Sequence, residues 1–293
     1  MTPFVFQQGC TELLSFRHIN ELGLKKHSAI RFDSIRNTTT NSLRLYYVID
    51  GRFEWIIGDT KYLIYPGDIG VIRPGSNFGC TTDCFHAGTV TWINLATAHH
   101  EEEDTMLFGS WSSLTSQDMA QISRNLKVAS SAVVANVPEA GSLLQTLKKE
   151  ISGKEIGHIT RANQLVDELL IMIGRKAAKS GDARSAFPQS FMRLEQSLRN
   201  DLNHHWSVAE MAAMVGLRHT AFTEKVKSFT GFSPLNYLIN IRISRAVALL
   251  KQRDHNVTDI ALDTGFYSSQ HFATTFKKMT GYSPSEFRRK NAL

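Results

Sequence analysis

Two rhythms of apolar positions divide this chain. Through residues 27–95, short β-branched and aromatic runs follow one another: Leu43–Ile49, Phe53–Ile57, Tyr62–Tyr65, Ile69–Arg73 and Val90–Leu95. They are separated at even spacing by Asp50-Gly51, Gly58-Asp59, Pro66-Gly67 and Pro74-Gly75. Runs of this kind between Gly and Pro turns predict short strands, and an Asp-Gly pair between two of them predicts a hairpin. The spacing suggests a barrel or jelly roll. Residues 105–137 show no pattern that assigns them. From 138 to 179 the period lengthens to that of a helix. Leu143, Leu144, Leu147 and Ile151 form one stripe, and Leu165, Val166, Leu169, Leu170 and Ile173 a second. The small polar stretch Ser180–Ser185 reads as a linker. After it, Ser190 is expected to cap a helix carrying Phe191, Leu194, Leu198 and Leu202.

The remainder contains one pattern twice. The first copy starts at Ser207-Val208-Ala209-Glu210, passes Gly216-Leu217 and ends at Gly231-Phe232-Ser233-Pro234; the second starts at Asn256-Val257-Thr258-Asp259, passes Gly265-Phe266 and ends at Gly281-Tyr282-Ser283-Pro284, with one residue more. Each copy predicts helix, tight turn, helix. Ser207 with Glu210 forms a capping box, and Asn256 with Asp259 holds the equivalent places. Ala212 and Ala261 allow close helix approach, and Gly216 and Gly265 end the first helices where a left-handed residue is needed. The second helices carry the stripes Phe222, Val226, Phe229 and Phe272, Phe276, Met279, opposite a polar face. Pro234 starts a long connecting helix and Ser283-Pro284-Ser285-Glu286 a short last one.

Charge narrows the partner. Residues 207–293 hold 12 Lys and Arg against 6 Asp and Glu, whereas residues 1–206 hold 21 of each, so the chain's net charge of +6 sits entirely with the repeat. A localised cationic excess suits phosphate neutralisation.

These residues carry a resemblance. Residues 188–293 resemble the DNA-binding domain of the AraC/XylS family of bacterial transcription regulators, through Gly231-Phe232-Ser233-Pro234, Arg242, Ala246, Leu250, Ile260-Ala261, Gly265-Phe266, Phe272, Phe276-Lys277-Lys278, Gly281-Tyr282-Ser283-Pro284 and Arg288. The resemblance implies two recognition helices entering successive major grooves about 34 Å apart. The candidates for base contact are His219, Thr220, Thr223, Glu224, Ser269, Gln270 and Thr274; those for phosphate contact are Lys227 and Lys277. The alternative for each is a solvated helix face. The chain departs from the family's pattern at Glu224 and Thr274, where members often have Arg, and at Val226, where Phe is usual. At Arg218 a capping Ser is usual, which leaves Thr220 as the candidate cap. Weak binding by a single protomer is therefore expected.

The strand-rich half is similar to the cupin-like sensor domain of the same family, through Tyr65-Pro66-Gly67-Asp68 and Ile72-Arg73-Pro74-Gly75. Arg31, Arg44, Tyr46, Trp55, Arg73 and Trp92 are candidates to line a ligand cavity, against the alternative that the Arg side chains are solvated and the Trp rings are core. The loop Ser76-Asn77-Phe78 lacks the His residues of metal-dependent cupins, and Cys80, Cys84 and His86 have no four-ligand spacing. No metal or cofactor is expected, and an enzyme is disfavoured. His99-His100-Glu101-Glu102-Glu103-Asp104 reads as a solvated loop.

The expected fold is α+β in two domains: a cupin-like barrel or jelly roll followed by helices, then an all-α domain with two helix-turn-helix motifs on a linker helix. The sensor and dimerisation domain spans 1–180 with helices at about 138–179, the linker 181–187, and the DNA-binding domain 188–293. Within the last, motif one is about 207–230, the linker helix about 233–252 and motif two about 256–280. Leu165, Leu169, Leu170 and Ile173 are the candidate dimer seam, with packing inside the domain as the alternative. With no signal peptide or membrane span and only three Cys, a cytoplasmic setting is expected. The expected partners are double-stranded DNA, a small polar metabolite, a second protomer and, for an activator, RNA polymerase; no membrane is expected. A regulator gated by a protein partner or by dimerisation, with no small ligand, is the alternative.

Overall fold

The computed structural model describes residues 2–27, 38–79, 87–100, 105–129, 131–179, 186–252 and 255–291. Expectations resting on Arg31, Cys80, Cys84, His86, the run 101–104 and the linker stretch 180–185 lie outside these residues. The chain forms a sheet-rich N-terminal unit and a helical C-terminal unit.

The N-terminal unit contains β1 (Phe4–Gln7), β2 (Ile19–His27), β3 (Thr38–Thr39), β4 (Ser42–Ile57), β5 (Thr60–Ile64), β6 (Ile69–Ile72), β7 (Asn77–Gly79), β8 (Ala87–Ala96), β9 (Ala98–His100), β10 (Thr105–Leu107), α1 (Ser116–Val128), β11 (Val133–Val134), α2 (Pro138–Gly153) and α3 (His158–Ala178). The main sheet runs β1-β2-β8-β4-β6-β11; β5 and β7 also pair with β4, and β3 pairs with β7.

The Asp50-Gly51 hairpin does not form. β4 is one strand of 16 residues through that pair. Its first half pairs with β6, Arg44 to Tyr47 against Ile72 to Ile69, and its second half with β5, Phe53 to Ile57 against Ile64 to Thr60. A two-residue hairpin of the Asp-Gly type needs both residues at positive φ. Only Gly51 has it, at 83°, so the strand bends and changes partner instead of reversing. The reversal comes at Gly58-Asp59, between Ile57 and Thr60.

Alternation then gives the strands two buried faces. Leu43, Leu45, Tyr47, Ile69, Val71, Ile93 and Leu95 join the helices in one core. Leu144, Leu147 and Ile151 of α2, and Leu165, Leu169, Leu170 and Ile173 of α3, complete it at 2% exposure or less. The stripe read as a dimer seam is therefore buried inside the protomer, where a partner helix cannot reach it; packing within the domain prevails.

α1 occupies the stretch the sequence left unassigned. Thr115 caps it with a capping box, its side chain accepting from Asp118 N at 3.1 Å and donating to Asp118 Oδ2 at 2.6 Å. The box had a legible sequence signal, Thr-x-x-Asp, but the helix behind it is only weakly apolar.

The C-terminal unit comprises α4 (Ala186–Asn200), α5 (Val208–Met214), α6 (His219–Thr230), α7 (Pro234–Lys251), α8 (Val257–Asp263), α9 (Ser269–Thr280) and α10 (Pro284–Asn291). α4 begins inside the span read as linker. Ser190 lies within it, donating to Phe187 O at 3.1 Å, and so does not stand at the helix start where a cap was expected. Two cores form, one around Phe191, Phe222, Val226, Tyr237 and Ile241, the other around Leu250, Ile260, Phe272, Phe276 and Phe287. α7 contributes to both. Among the described residues no helix is long and apolar enough to cross a membrane.

Candidate nucleic-acid interface

α6 and α9 are built alike. Phe222 and Val226 of α6, and Phe272 and Phe276 of α9, are buried at 1% exposure or less and fix the apolar side of each helix inward. That orientation presents His219, Thr220, Glu224 and Lys227 on α6, and Ser269, Gln270, Thr274 and Lys277 on α9, as exposed side chains. Thr223 is half-buried and donates to His219 O at 2.9 Å; Thr274 makes the same bond to Gln270 O at 3.0 Å. Two exposed polar helix faces at matching positions are the arrangement that groove reading requires.

The helix starts differ. Ser268 caps α9, its side chain accepting from His271 N at 3.1 Å. Arg218 stands at the cap of α6 with no side-chain cap bond. Thr220 is inside the first turn and does not cap, which corrects that expectation: the cap position is fixed by where the helix starts, one residue before His219. Both first helices are capped as read, Ser207 accepting from Glu210 N at 3.1 Å and Asn256 from Asp259 N at 2.7 Å.

Four further residues hold the unit together, and of these the sequence pattern marked Arg242 alone. Arg242 of α7 donates to Leu202 O at 3.1 Å and His204 O at 2.9 Å, binding the loop before α5; burial lowers its pKa, with Tyr267 opposing the shift. Glu195 of α4 is buried and accepts from Tyr237 Oη at 2.9 Å and Arg199 Nε at 2.8 Å. Thr230 and its counterpart Thr280 both donate at 2.8 Å to the carbonyl four residues back, closing the second helix of each copy in the same way.

The second face of the N-terminal sheet gathers most of the ligand candidates. Tyr46 stacks on Phe78 at 5.0 Å and Trp92 at 6.0 Å and meets Trp55 edge-on at 5.2 Å. Trp55 and Trp92 are buried. Burial pushes the Tyr46 phenol up to about 12, opposed by the charge of Arg44 and reinforced by that of Glu21. Glu21 accepts from Asn94 Nδ2 at 3.3 Å. Arg44 Nε and Asn94 Oδ1 are buried without a hydrogen-bond partner. Arg73 does not join this group. It lines a separate groove of about 180 Å³ with Tyr62, Ser76 and Lys127. Among the described residues, no group of three or more His, Cys, Asp or Glu is placed to hold a metal.

Residues 211–290 match a helix-turn-helix domain family. The chain is 34% identical over 93 residues to the uncharacterized HTH-type transcriptional regulator YidL of Escherichia coli (strain K12), covering 32% of this chain and 31% of that protein. It is 30% identical over 161 residues to the HTH-type transcriptional activator RhaS of Klebsiella pneumoniae (strain 342), covering 54% and 52%. The chain thus spans about half or less of the length of these curated relatives. A crystal structure of a transcriptional regulator from Chromobacterium violaceum, described as an AraC-type DNA-binding domain-containing protein, is 24% identical with a TM-score of 0.35, covering 38% of this chain and 98% of that one. The relatives are named as transcriptional regulators and not as enzymes. Residues 211–290 are thus similar to a helix-turn-helix domain family, and the relatives named above are transcriptional regulators.

Proposed function

We propose that the chain is a sequence-specific regulator that reads double-stranded DNA with both α6 and α9. The observation that carries this is the pair of exposed polar faces held outward by equivalent buried Phe residues, in the unit that holds the excess cations. His219, Thr220, Thr223, Glu224, Ser269, Gln270 and Thr274 meet base edges, and Lys227 and Lys277 meet phosphates. Selection from random duplexes tests it: one recovered sequence should bind at least about a hundredfold more tightly than random DNA at physiological salt. Equal binding to both pools would remove the sequence-reading assignment.

In the same proposal, the cupin-like N-terminal unit holds a small polar molecule against Tyr46, Trp55 and Trp92. Two buried polar atoms without partners, Arg44 Nε and Asn94 Oδ1, support this, because an unpaired polar group in an apolar interior is costly unless a ligand completes it. The ligand would act by favouring one of two arrangements of the protein that differ in affinity for DNA. A thermal-shift screen of polar metabolites, repeated with Arg44→Ala, tests it. A stabilising compound whose effect survives the substitution would place the site elsewhere.

A second reading, control through a second copy with no small ligand, is favoured by the mutual packing of the Tyr46, Trp55, Phe78 and Trp92 rings. The surface it would use is not the buried leucine stripe but the groove of about 570 Å³ beside it, where Leu143, Ile171 and Met172 are half-buried. Two α3 helices crossing antiparallel between Ile171 and Met172 would set Glu168 of each against Arg175 of the other, the self-complementarity that a two-fold interface requires. Sedimentation of Ile171→Asp against the unsubstituted chain separates these cases, a dimer lost on substitution supporting the surface.

A further inference from the structure

The two copies of the repeat do not correspond residue for residue across the turn. Ser207 matches Asn256 as first cap, and Gly216 matches Gly265, both left-handed at φ 70° and 77°. Beyond the turn the match moves by one: Arg218 pairs with Ser268 at the second cap, Phe222 with Phe272, and Gly231 with Gly281. Leu217 and Phe266 are the half-buried and buried plugs of the two turns. The extra residue of the second copy is therefore Tyr267.

Its placement is unlike that of a core aromatic. Tyr267 is 76% exposed, whereas its neighbour Phe266 is 4% exposed. Its ring is braced by that of His205, at 5.0 Å, and lies 6.4 Å from that of His271. His205 belongs to the loop that Arg242 fastens through Leu202 O and His204 O. The phenol is thus held out by a fastened support. Its hydroxyl makes no hydrogen bond among the described residues. It immediately precedes the cap of α9, whose first turn carries Ser269 and Gln270.

We propose that Tyr267 is a DNA-backbone contact of the second motif alone, its hydroxyl donating to a phosphate oxygen beside the bases met by Ser269 and Gln270. This rests on the DNA-reading assignment above. Groups flanking the first turn of a reading helix reach the sugar-phosphate chain, while the turn itself reaches base edges. A neutral donor there adds affinity without displacing a counterion, so its signature differs from that of a lysine. His205 is the positioning residue. The first motif, with no inserted residue, has no equivalent hydroxyl at Arg218.

The test uses the full chain, the selected duplex and a random duplex, titrated at several salt concentrations. Tyr267→Phe removes one exposed hydroxyl and should leave the thermal midpoint unchanged. It should weaken binding to both duplexes alike, by about tenfold, with the slope of log affinity against log salt unaltered. His205→Ala should weaken both in the same manner, and by less. Tyr267→Phe binding like the unsubstituted chain, a loss confined to one base pair, or a change of salt slope would each overturn the inference. An unsubstituted chain that bound neither duplex would sink the DNA-reading assignment itself, a result separable from all of these.

Discussion

Gly216 and Gly265 hold the same place in the two copies and the same left-handed backbone, yet their surroundings differ. A Cβ on Gly216 meets open space, while one on Gly265 runs into Leu202 O and the Arg242 guanidinium. Gly216→Ala should cost about 1 kcal/mol, the left-handed penalty alone. Gly265→Ala should cost more than about 2 kcal/mol, because a fastened loop must also move. Urea unfolding of the two variants checks this, and equal losses would mean that the loop yields freely. Tyr237→Phe leaves the buried Glu195 carboxylate one donor short and should cost about 1–3 kcal/mol by the same measurement. His18 offers a pH-dependent case. It is buried, stacked on Trp111 at 4.0 Å, with Nε2 unpartnered. Burial lowers its pKa from 6.5 to about 4, against the opposing charge of Asp167. Between those values the unfolded chain binds the proton and the folded chain does not. Stability is therefore full above pH 6.5 and falls as the pH drops towards 4. Thermal midpoints at pH 7.5 and pH 5 should show the fall, and His18→Phe should flatten it.

At the scale of elements, α6 and α9 are unequal in how they begin. α9 has a side-chain cap at Ser268 and α6 has none at Arg218. Ser268→Ala should lower stability by about 1 kcal/mol, while Arg218→Ser should raise it by roughly 0.5–1 kcal/mol by supplying the missing bond. Unfolding curves of both variants decide the matter; no gain from Arg218→Ser would show that water already serves the free N–H groups of α6. The same substitution removes an exposed cation one residue from His219. If Arg218 touches DNA, affinity should fall while stability rises, an opposition that a purely structural role would not produce. α7 shows a different dependence between elements, since it buries Tyr237 and Ile241 in one core and Leu250 in the other. The cores beneath α6 and α9 are thereby joined through one helix.

At the scale of the whole molecule, the excess cations of 207–293 should make binding strongly salt-dependent. Lys277→Ala should reduce the salt slope by about 1 and weaken all duplexes, whereas Gln270→Ala should relax preference at one base pair and leave the slope unchanged. Binding measured over an operator panel at several salt concentrations distinguishes them, and identical behaviour would remove the division between phosphate and base contacts. What the sequence alone determined is local in physical origin. Capping boxes act across three residues, left-handed glycines act on their own backbone, and a helical stripe needs only its period, so Ser207, Asn256, Gly216, Gly265 and the stripes of α6 and α9 could be read directly. The excess of positive charge is additive and needs no fold. The tertiary structure decided whatever depends on residues distant in the chain. Asp50-Gly51 bends a strand because β5 and β6 claim its two halves. The α3 leucines are buried in the protomer and not against a partner because α1 and α2 are there to receive them. Arg73 parts from Tyr46 because alternation and the turn at Pro74 send it elsewhere. Tyr267 stands out from its turn because His205, brought from before the first motif, holds it there. No periodicity encodes such pairings; they exist only once remote segments have been brought together.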